Sequence, residues 1–232
     1  MSNSVGAVIV AAGRGTRMGT AESKQYLLLQ GKPIIVHTLE VFQRHHLISE
    51  IVLVTGEEDV ERCREWIRTY KLDKVASVVA GGLERQHSVH LGLRNLKTAW
   101  AMVHDGVRPF VQEKEITACY EQAREIGASV LAVPVKDTIK QVDREGKVVS
   151  TPDRRSLWAI QTPQTFRLSE LLAAYQSAEL DGFLGTDDSS LAERCGIPVA
   201  VVEGSYANIK ITTPEDLDFA EFTQRSRGEE ES

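Results

Sequence analysis

The chain has 232 residues, 42% of them hydrophobic and 26% charged, which is ordinary globular composition and excludes wholesale disorder. Its 27 Lys and Arg against 33 Asp and Glu leave a formal net charge of −6, so no global basic footprint exists for nucleic acid or an anionic membrane. No run approaches the roughly 18 consecutive apolar residues of a membrane span. The apolar stretch 5–12 (VGAVIVAA) follows no Lys or Arg and runs straight into a Gly/Arg-rich loop. It reads as the first strand of a cytoplasmic protein rather than a leader. Cys63, Cys119 and Cys195 are widely spaced and odd in number, and they read as isolated buried thiols of a reducing compartment.

Residues 5–12 form a continuous apolar run, the mark of a strand buried on both faces. Pro33 opens a helix with Ile34, Ile35, Thr38, Leu39 and Phe42 on one face. A strand at 51–55, an exposed charged helix at 57–70 and a strand at 75–80 ending in Gly81-Gly82 follow. A helix at 84–96 points Val89, Leu93 and Leu96 inward. Then come a strand at 100–104, a helix at 113–126 and a strand at 129–135. Such alternation with short connections predicts a mostly parallel twisted sheet with helices on both faces, whose ligands sit at the carboxyl ends of strands. Residues 136–156 break the rhythm with two short β-like pieces, 138–142 and 147–151, around a turn at 143–146. They predict a protruding β-hairpin arm. A lone hairpin is marginal in water, so a partner subunit is the natural surface for it. Helices near 168–179 and after Thr186, a strand at 199–202 and a helix from Pro214 complete a single domain over 1–225. The apolar members of that last helix are Leu217, Phe219, Ala220 and Phe222, and 226–232 read as a disordered tail.

The first strand runs into Gly13-Arg14-Gly15-Thr16-Arg17-Met18-Gly19. Successive backbone N–H groups in such a loop can cradle a phosphate. Met18 occupies the last glycine position of both the Walker A and the dinucleotide-binding patterns, and no Lys-Ser/Thr pair follows. Taken alone the loop is an ordinary βα turn. Arg14, Arg17 and Lys24 within one short segment add fixed positive charge of the kind that stabilises phosphoryl or nucleotidyl transfer. Taken alone they are also compatible with a solvated surface.

This loop, with Lys24-Gln25-Tyr26, resembles the sugar nucleotidyltransferases of Rossmann-type, GT-A-like fold. Further segments narrow the resemblance: Ala80-Gly81-Gly82-Leu83-Glu84-Arg85-Gln86-His87-Ser88, His104-Asp105-Gly106-Val107-Arg108-Pro109, Pro134-Val135-Lys136-Asp137-Thr138, Leu157-Trp158-Ala159-Ile160-Gln161-Thr162-Pro163, Thr186-Asp187-Asp188 and Asn208-Ile209-Lys210. In that order they look like the 2-C-methyl-D-erythritol 4-phosphate cytidylyltransferase family, over nearly the whole chain except the tail.

The resemblance implies transfer of CMP from CTP to methylerythritol phosphate, with pyrophosphate released and Mg²⁺ as divalent cation. It assigns transition-state stabilisation to Arg17 and Lys24. The nucleotide falls to Ala11, Ala12, Gly13 and Gly15, with Gly82 and Ser88 at the cytosine edge and Asp105 beside CTP or the sugar hydroxyls. Arg154 and Lys210 position the acceptor, with Arg108, Thr138 and Thr162 around its polar groups. The family's hairpin exchange across a homodimer implies that Thr138, Arg154 and Arg108 enter the neighbouring site.

Plain structural roles stand beside these. Asp105 in His-Asp-Gly can form a turn, and one carboxylate is a thin metal site, so no metal ligand is assigned. His104 and the other histidines lack metal-ligand spacing and read as satisfied structural residues. Asp153-Arg154-Arg155 looks like an exposed charged run, and Thr186-Asp187-Asp188 can cap a helix. Lys210 interrupts the apolar pair Ile209 and Ile211, which asks for an anion. Leu83 stands where many members carry an acid, and Gly106 where they carry Ala. A ribitol 5-phosphate cytidylyltransferase shares the fold and nucleotide site and remains the nearest alternative. A non-catalytic nucleotide-binding module is the alternative from another class, although it would be expected to lose Arg17 or Lys24. The failed glycine pattern disfavours a nicotinamide enzyme.

Overall fold

The computed structural model describes residues 3–13 and 22–230. Its elements in chain order are β1 (Val5–Ala11), β2 (Leu28–Leu29), β3 (Lys32–Pro33), α1 (Ile34–Arg44), β4 (Ile48–Thr55), α2 (Val60–Thr69), β5 (Val75–Ala80), α3 (Arg85–Leu93) and β6 (Trp100–Asp105). They continue with α4 (Glu113–Ile126), β7 (Ala128–Pro134), β8 (Gln141–Val142), β9 (Val148–Ser150), β10 (Trp158–Arg167), α5 (Leu168–Leu180), α6 (Asp188–Arg194), β11 (Val199–Glu203) and α7 (Pro214–Glu230).

Seven strands form one sheet in the order β11-β7-β10-β6-β1-β4-β5, parallel except for β10. Period-two side-chain alternation sorts the apolar strands onto two cores. Ala7 and Ile9 of β1, Ile51 and Leu53 of β4, and Trp100 and Met102 of β6 face α1, α2 and α4. Val8, Val52, Val54, Ala101 and Val103 face α3, α5 and α6. Gly92 lets α3 lie close on the sheet, since a Cβ there would meet Val8 Cγ1 at 2.5 Å and Val54 Cγ2 at 2.8 Å. From β1 the chain first builds outward to β4 and β5, then crosses back to β6 on the other side. The carboxyl ends of β1 and β6 therefore meet at a topological switch point, where open α/β sheets bind ligands.

Three features depart from the sequence reading. The ten-residue strand β10 lies between β6 and β7, and Pro163 sits inside it. Proline removes a ladder donor and argues against a strand. Here the β7 register breaks between Ile160 and Gln164, so Pro163 falls in a bulge and pairing resumes beyond it. Second, α7 runs to Glu230, so 226–230 are helical where a disordered tail is expected; no proline follows Pro214 to stop the helix. In α7 Ala220 is buried, whereas Phe219 and Phe222 are exposed. Third, Cys63 and Cys119 are buried thiols but Cys195, just past the end of α6, is exposed. The hairpin at 136–156 is present as the antiparallel pair β8 and β9, with Val142, Val148 and Val149 all exposed.

His104 is sealed in β6, its ring 4.9 Å from Phe42. Its Nε2 lies 3.0 Å from the Arg108 carbonyl, which can only accept, so Nε2 carries the proton. Nδ1 then accepts from the Thr162 hydroxyl at 3.0 Å. Burial pushes the ring's pKa down to about 4. Between that value and the usual 6.5 the unfolded chain binds the extra proton, so stability is full above pH 6.5 and falls as the solution is acidified toward pH 4. His37, His45 and His90 are lowered by burial and act in the same sense. An NMR titration of the His104 ring is expected to give a midpoint near 4; a midpoint near 6.5 would show the ring to be hydrated.

Candidate active site

A cavity of about 150 Å³ opens at the switch point. Its floor is the end of β1, Val10 to Gly13, and its walls come from Lys24, Gln25, the β5–α3 turn, Asp105, Val107 and Lys210. A depression of about 730 Å³ adjoins it, sharing Ala12, Gly13, Gln25, Gly82 and Leu83. Together they offer room for a nucleotide.

Each wall is fixed by identifiable contacts. The Gln25 side chain is buried, and its Nε2 donates to the Ala11 carbonyl at 2.7 Å and to the Gly13 carbonyl at 3.2 Å. Tyr26, next in the same turn, shares a hydrogen bond with Thr55. From outside, Arg62 of α2 grips Glu22 with two bonds, 3.1 and 2.7 Å, while lying over the Tyr26 and Trp66 rings. Lys24 is thus carried on a turn held from three sides. On the opposite wall a Cβ at Gly81 would run into Ala12 Cβ and Ser88 Oγ, so glycine permits the closeness of β5 and β1 there. Ser88 Oγ accepts from the Gly82 N–H at 3.1 Å and donates to the Glu84 carbonyl at 3.1 Å. Its hydroxyl therefore shapes the turn that edges the cavity. Leu83, at 96% exposure, stands at the mouth.

Asp105 ends β6 and is buried, with three cations on its carboxylate. Lys210 Nζ lies 2.9 Å from Oδ2, Arg108 Nε 3.5 Å from Oδ2, and Arg85 Nε 3.3 Å from Oδ1. Burial alone would raise this carboxyl's pKa; Arg85, Lys210 and Arg108 outweigh it and hold the group well below the usual carboxylate range. Asp105 is an anion at every functional pH. Behind it, its own N–H donates to Thr162 Oγ1 at 3.1 Å, and that hydroxyl passes its proton toward His104. Asn208 is fully buried; its Nδ2 donates to Gln161 Oε1 and the Thr162 carbonyl, both at 3.0 Å, which ties the stretch before Lys210 to the β10 bulge.

Two further residues, Arg85 and Asp188, join this cluster. Arg85 extends its fork to Asp188, Nη1 to Oδ1 at 3.0 Å and Nη2 to Oδ2 at 2.9 Å. Asp188 is 0% exposed and also accepts from the Tyr175 hydroxyl. Burial and the Asp188 anion push the Tyr175 phenol's pKa up, so it remains the donor. Of the Thr186-Asp187-Asp188 segment only Asp187 caps α6, accepting from the Ser190 N–H at 2.9 Å. The sequence offers Arg85 no signal beyond its place after Gly81-Gly82, and its partner lies 103 residues away.

The structure thus brings Ala11, Ala12, Gly13, Lys24, Gly82, Ser88, Asp105 and Lys210 to one cavity. Arg17 and Gly15 lie outside the described residues. Thr162 is buried behind Asp105, its hydroxyl engaged within the chain. Arg108, expected to reach a neighbouring subunit, is instead buried in its own cluster, where Nη1 donates to the Asn208 carbonyl at 2.7 Å. The attraction of Asp105, three residues back, turns its side chain inward. Arg154 and Thr138 are exposed and do not line the cavity; Arg154 Nη1 holds the Lys136 carbonyl at 2.9 Å at the base of the arm. Among the described residues no group of three His, Cys, Asp or Glu side chains is placed to hold a metal ion.

At the cavity Lys24, Arg85 and Lys210, with Arg108 behind them, outnumber Glu84, Asp105 and the buried Asp188, which suits a polyanionic ligand there, whereas Glu57, Glu58 and Asp59 line the far side of the adjoining depression. The model of the 2-C-methyl-D-erythritol 4-phosphate cytidylyltransferases matches residues 5–226. A cytidylyltransferase of that name from Alkaliphilus metalliredigens is 49% identical over 99% of this chain and 98% of its own. One from Bacillus velezensis is 51% identical over 94% of this chain and 95% of its own. The crystal structure of a 4-diphosphocytidyl-2C-methyl-D-erythritol synthase from Anaerococcus prevotii superimposes with a TM-score of 0.84 at 34% identity, covering 96% of each chain. With the cavity, the sheet and the motif order in agreement, this chain belongs to the 2-C-methyl-D-erythritol 4-phosphate cytidylyltransferase family.

Proposed function

We propose that the chain transfers CMP from CTP to 2-C-methyl-D-erythritol 4-phosphate, giving 4-diphosphocytidyl-2-C-methyl-D-erythritol and pyrophosphate, in non-mevalonate isoprenoid precursor synthesis. The observation that carries the reading is the pairing, in one cavity at the sheet's switch point, of Lys24 on one wall with the Asp105–Lys210 pair on another. A phosphate oxygen of the acceptor attacks the α-phosphorus of CTP. The bond from that phosphorus to the bridging oxygen breaks, and the electron pair leaves with pyrophosphate. Negative charge builds on the equatorial and leaving oxygens, where Lys24 and Arg17 stabilise it. The backbone of Ala11, Ala12, Gly13 and Gly15 holds the nucleotide. The Gly82–Ser88 turn bounds the base, a small pocket that excludes purines by size. Lys210 takes the acceptor phosphate, and Asp105 fixes Lys210. Ribitol 5-phosphate is the less favoured acceptor, since family and relatives share the methylerythritol phosphate name.

Mg²⁺ is proposed as the divalent cation that neutralises the triphosphate. Among the described residues none builds a cage for it, because the Asp105 carboxylate is already shared by three cations. Such an ion would be held by substrate phosphates and water, as Mg²⁺ prefers, and would supply charge neutralisation at the triphosphate.

The β8–β9 arm is proposed to cover a second copy of the chain in a homodimer. It exposes Val142, Val148 and Val149, and two strands alone are marginal in water. Thr138 and Arg154 near its base would then complete the neighbour's acceptor pocket, whereas Arg108 serves its own. No helix among the described residues is long and apolar enough to cross a membrane. We place the reaction in the cytoplasm, where CTP is met, with no role for nucleic acid or a membrane.

Purified protein given CTP, Mg²⁺ and methylerythritol phosphate is expected to release pyrophosphate and to stop on chelation. Turnover with ribitol 5-phosphate alone would reassign the acceptor. Lys24→Ala is expected to lower kcat by about 100-fold or more, the scale of losing one transition-state contact; a rate near wild type would remove Lys24 from its role. Replacing residues 141–150 by a short Gly-Ser turn is expected to halve the mass seen by light scattering, and an unchanged dimer would rule out the arm as the interface.

A further inference from the structure

Arg85 divides its donors between two carboxylates of different function. The fork Nη1/Nη2 is closed on Asp188, at 3.0 and 2.9 Å, while Nε alone reaches Asp105 Oδ1 at 3.3 Å. Asp105 in turn divides its oxygens. Oδ1 faces Arg85, and Oδ2 takes Lys210 Nζ at 2.9 Å and Arg108 Nε at 3.5 Å. With Oδ1 engaged and the N–H bound to Thr162, the Asp105 carboxylate has a fixed rotation.

Asp188 does not line the cavity and is fully buried. Helix α6 does not need it as a cap, because Asp187 fills that role and also accepts from Gln164 Nε2 at 2.8 Å. A buried carboxylate beside the cap is costly unless it is paired. Its partners are Arg85 and the Tyr175 hydroxyl, whose ring belongs to the core behind α3 and α5. The acid therefore anchors the guanidinium from the core side, while the same guanidinium lines the cavity.

We propose that Arg85 is a positioning residue for the transfer, clamping Asp188 to Asp105 so that Asp105 sets the direction of the Lys210 ammonium toward the acceptor phosphate. The inference rests on the function proposed above and adds a core-anchored relay to it. Lysine cannot replace this arginine, because a single ammonium cannot hold one carboxylate with two parallel bonds and reach a second at the same time. The clamp acts on Lys210 through Asp105, so its loss bears on turnover and on the acceptor more than on the nucleotide, although Arg85 itself stands in the turn that bounds the base.

The test is steady-state kinetics on the full chain with CTP, Mg²⁺ and methylerythritol phosphate, for wild type, Arg85→Lys, Asp188→Asn and the double variant. Each single variant is expected to lose about 10-fold or more in kcat/KM for the acceptor, with the CTP KM within about threefold, as misplacement of a group that touches substrate would give. The double variant is expected to be no worse than the poorer single, because both break one unit. Acceptor kinetics at the wild-type level in folded Arg85→Lys and Asp188→Asn, or losses that multiply in the double variant, would overturn the clamp. A CTP KM that rises in step with the acceptor's would overturn it too, by assigning Arg85 to the nucleotide wall of the cavity or by marking a general loss of structure. If Asp188→Asn fails to fold by circular dichroism, Arg85→Lys decides alone by the same split between acceptor and CTP. Wild-type turnover with unchanged variants sinks the clamp only, whereas wild type inactive with methylerythritol phosphate sinks the proposed function and the clamp with it.

Discussion

A buried carboxylate at the end of β6 is the constraint on which the site depends. Taking Asp105 out of water is unfavourable unless opposite charge comes with it. Here that charge arrives from α3 through Arg85, from the loop after β6 through Arg108, and from 105 residues along the chain through Lys210. No local segment can satisfy this requirement. The cluster exists only once the sheet has brought α3, β6 and the stretch before α7 together, so the chemistry depends on complete folding.

The sheet is arranged to keep that convergence tight. Parallel pairing of β1 with β6 places Val10 opposite Asp105, and Gly106 N–H reaches back to the Val10 carbonyl at 2.8 Å. The antiparallel β10 brings its bulge behind Asp105, where Thr162 joins the Asp105 N–H to the neutral His104 ring. A protonated ring would make Nδ1 a donor and force the Thr162 hydroxyl proton to point elsewhere. Burial that keeps His104 neutral thus also keeps the support of Asp105 in order.

How far this was legible from residues alone depended on range. The strands β1, β4, β5, β6 and β7 are apolar runs whose burial follows from composition, and they appeared where the pattern put them. Lys210 stood out because it interrupts Ile209 and Ile211. β10 did not stand out, because Pro163 and the polar residues around it contradict a strand until the bulge is known. Arg85 was hidden for another reason. In the segment Leu83-Glu84-Arg85-Gln86-His87 every neighbour is polar or exposed, and the acid that gives Arg85 its place lies in a different helix. Thr186-Asp187-Asp188 showed both limits at once. Capping is local chemistry and was readable in Asp187; the pairing of Asp188 is not local.

The placement of cations bears on the direction of the proposed transfer. In-line displacement puts the attacking oxygen and the leaving pyrophosphate on opposite sides of the α-phosphorus. A single patch of positive charge would attract both substrates but could not keep their phosphates apart. This cavity carries its charge in two separately anchored groups. Lys24 rides on a turn fixed by Gln25 and Tyr26 and by the Arg62–Glu22 pair, all on the β1 and α2 side. Lys210 is fixed through Asp105 on the β6 side. The anchors named for the two groups lie on opposite walls of the cavity, so each group can be held rigid while it serves a different phosphate. In the proposed reaction the first lies toward the triphosphate and the second toward the acceptor. The reacting phosphorus sits between them, where charge gained on one side is not taken from the other.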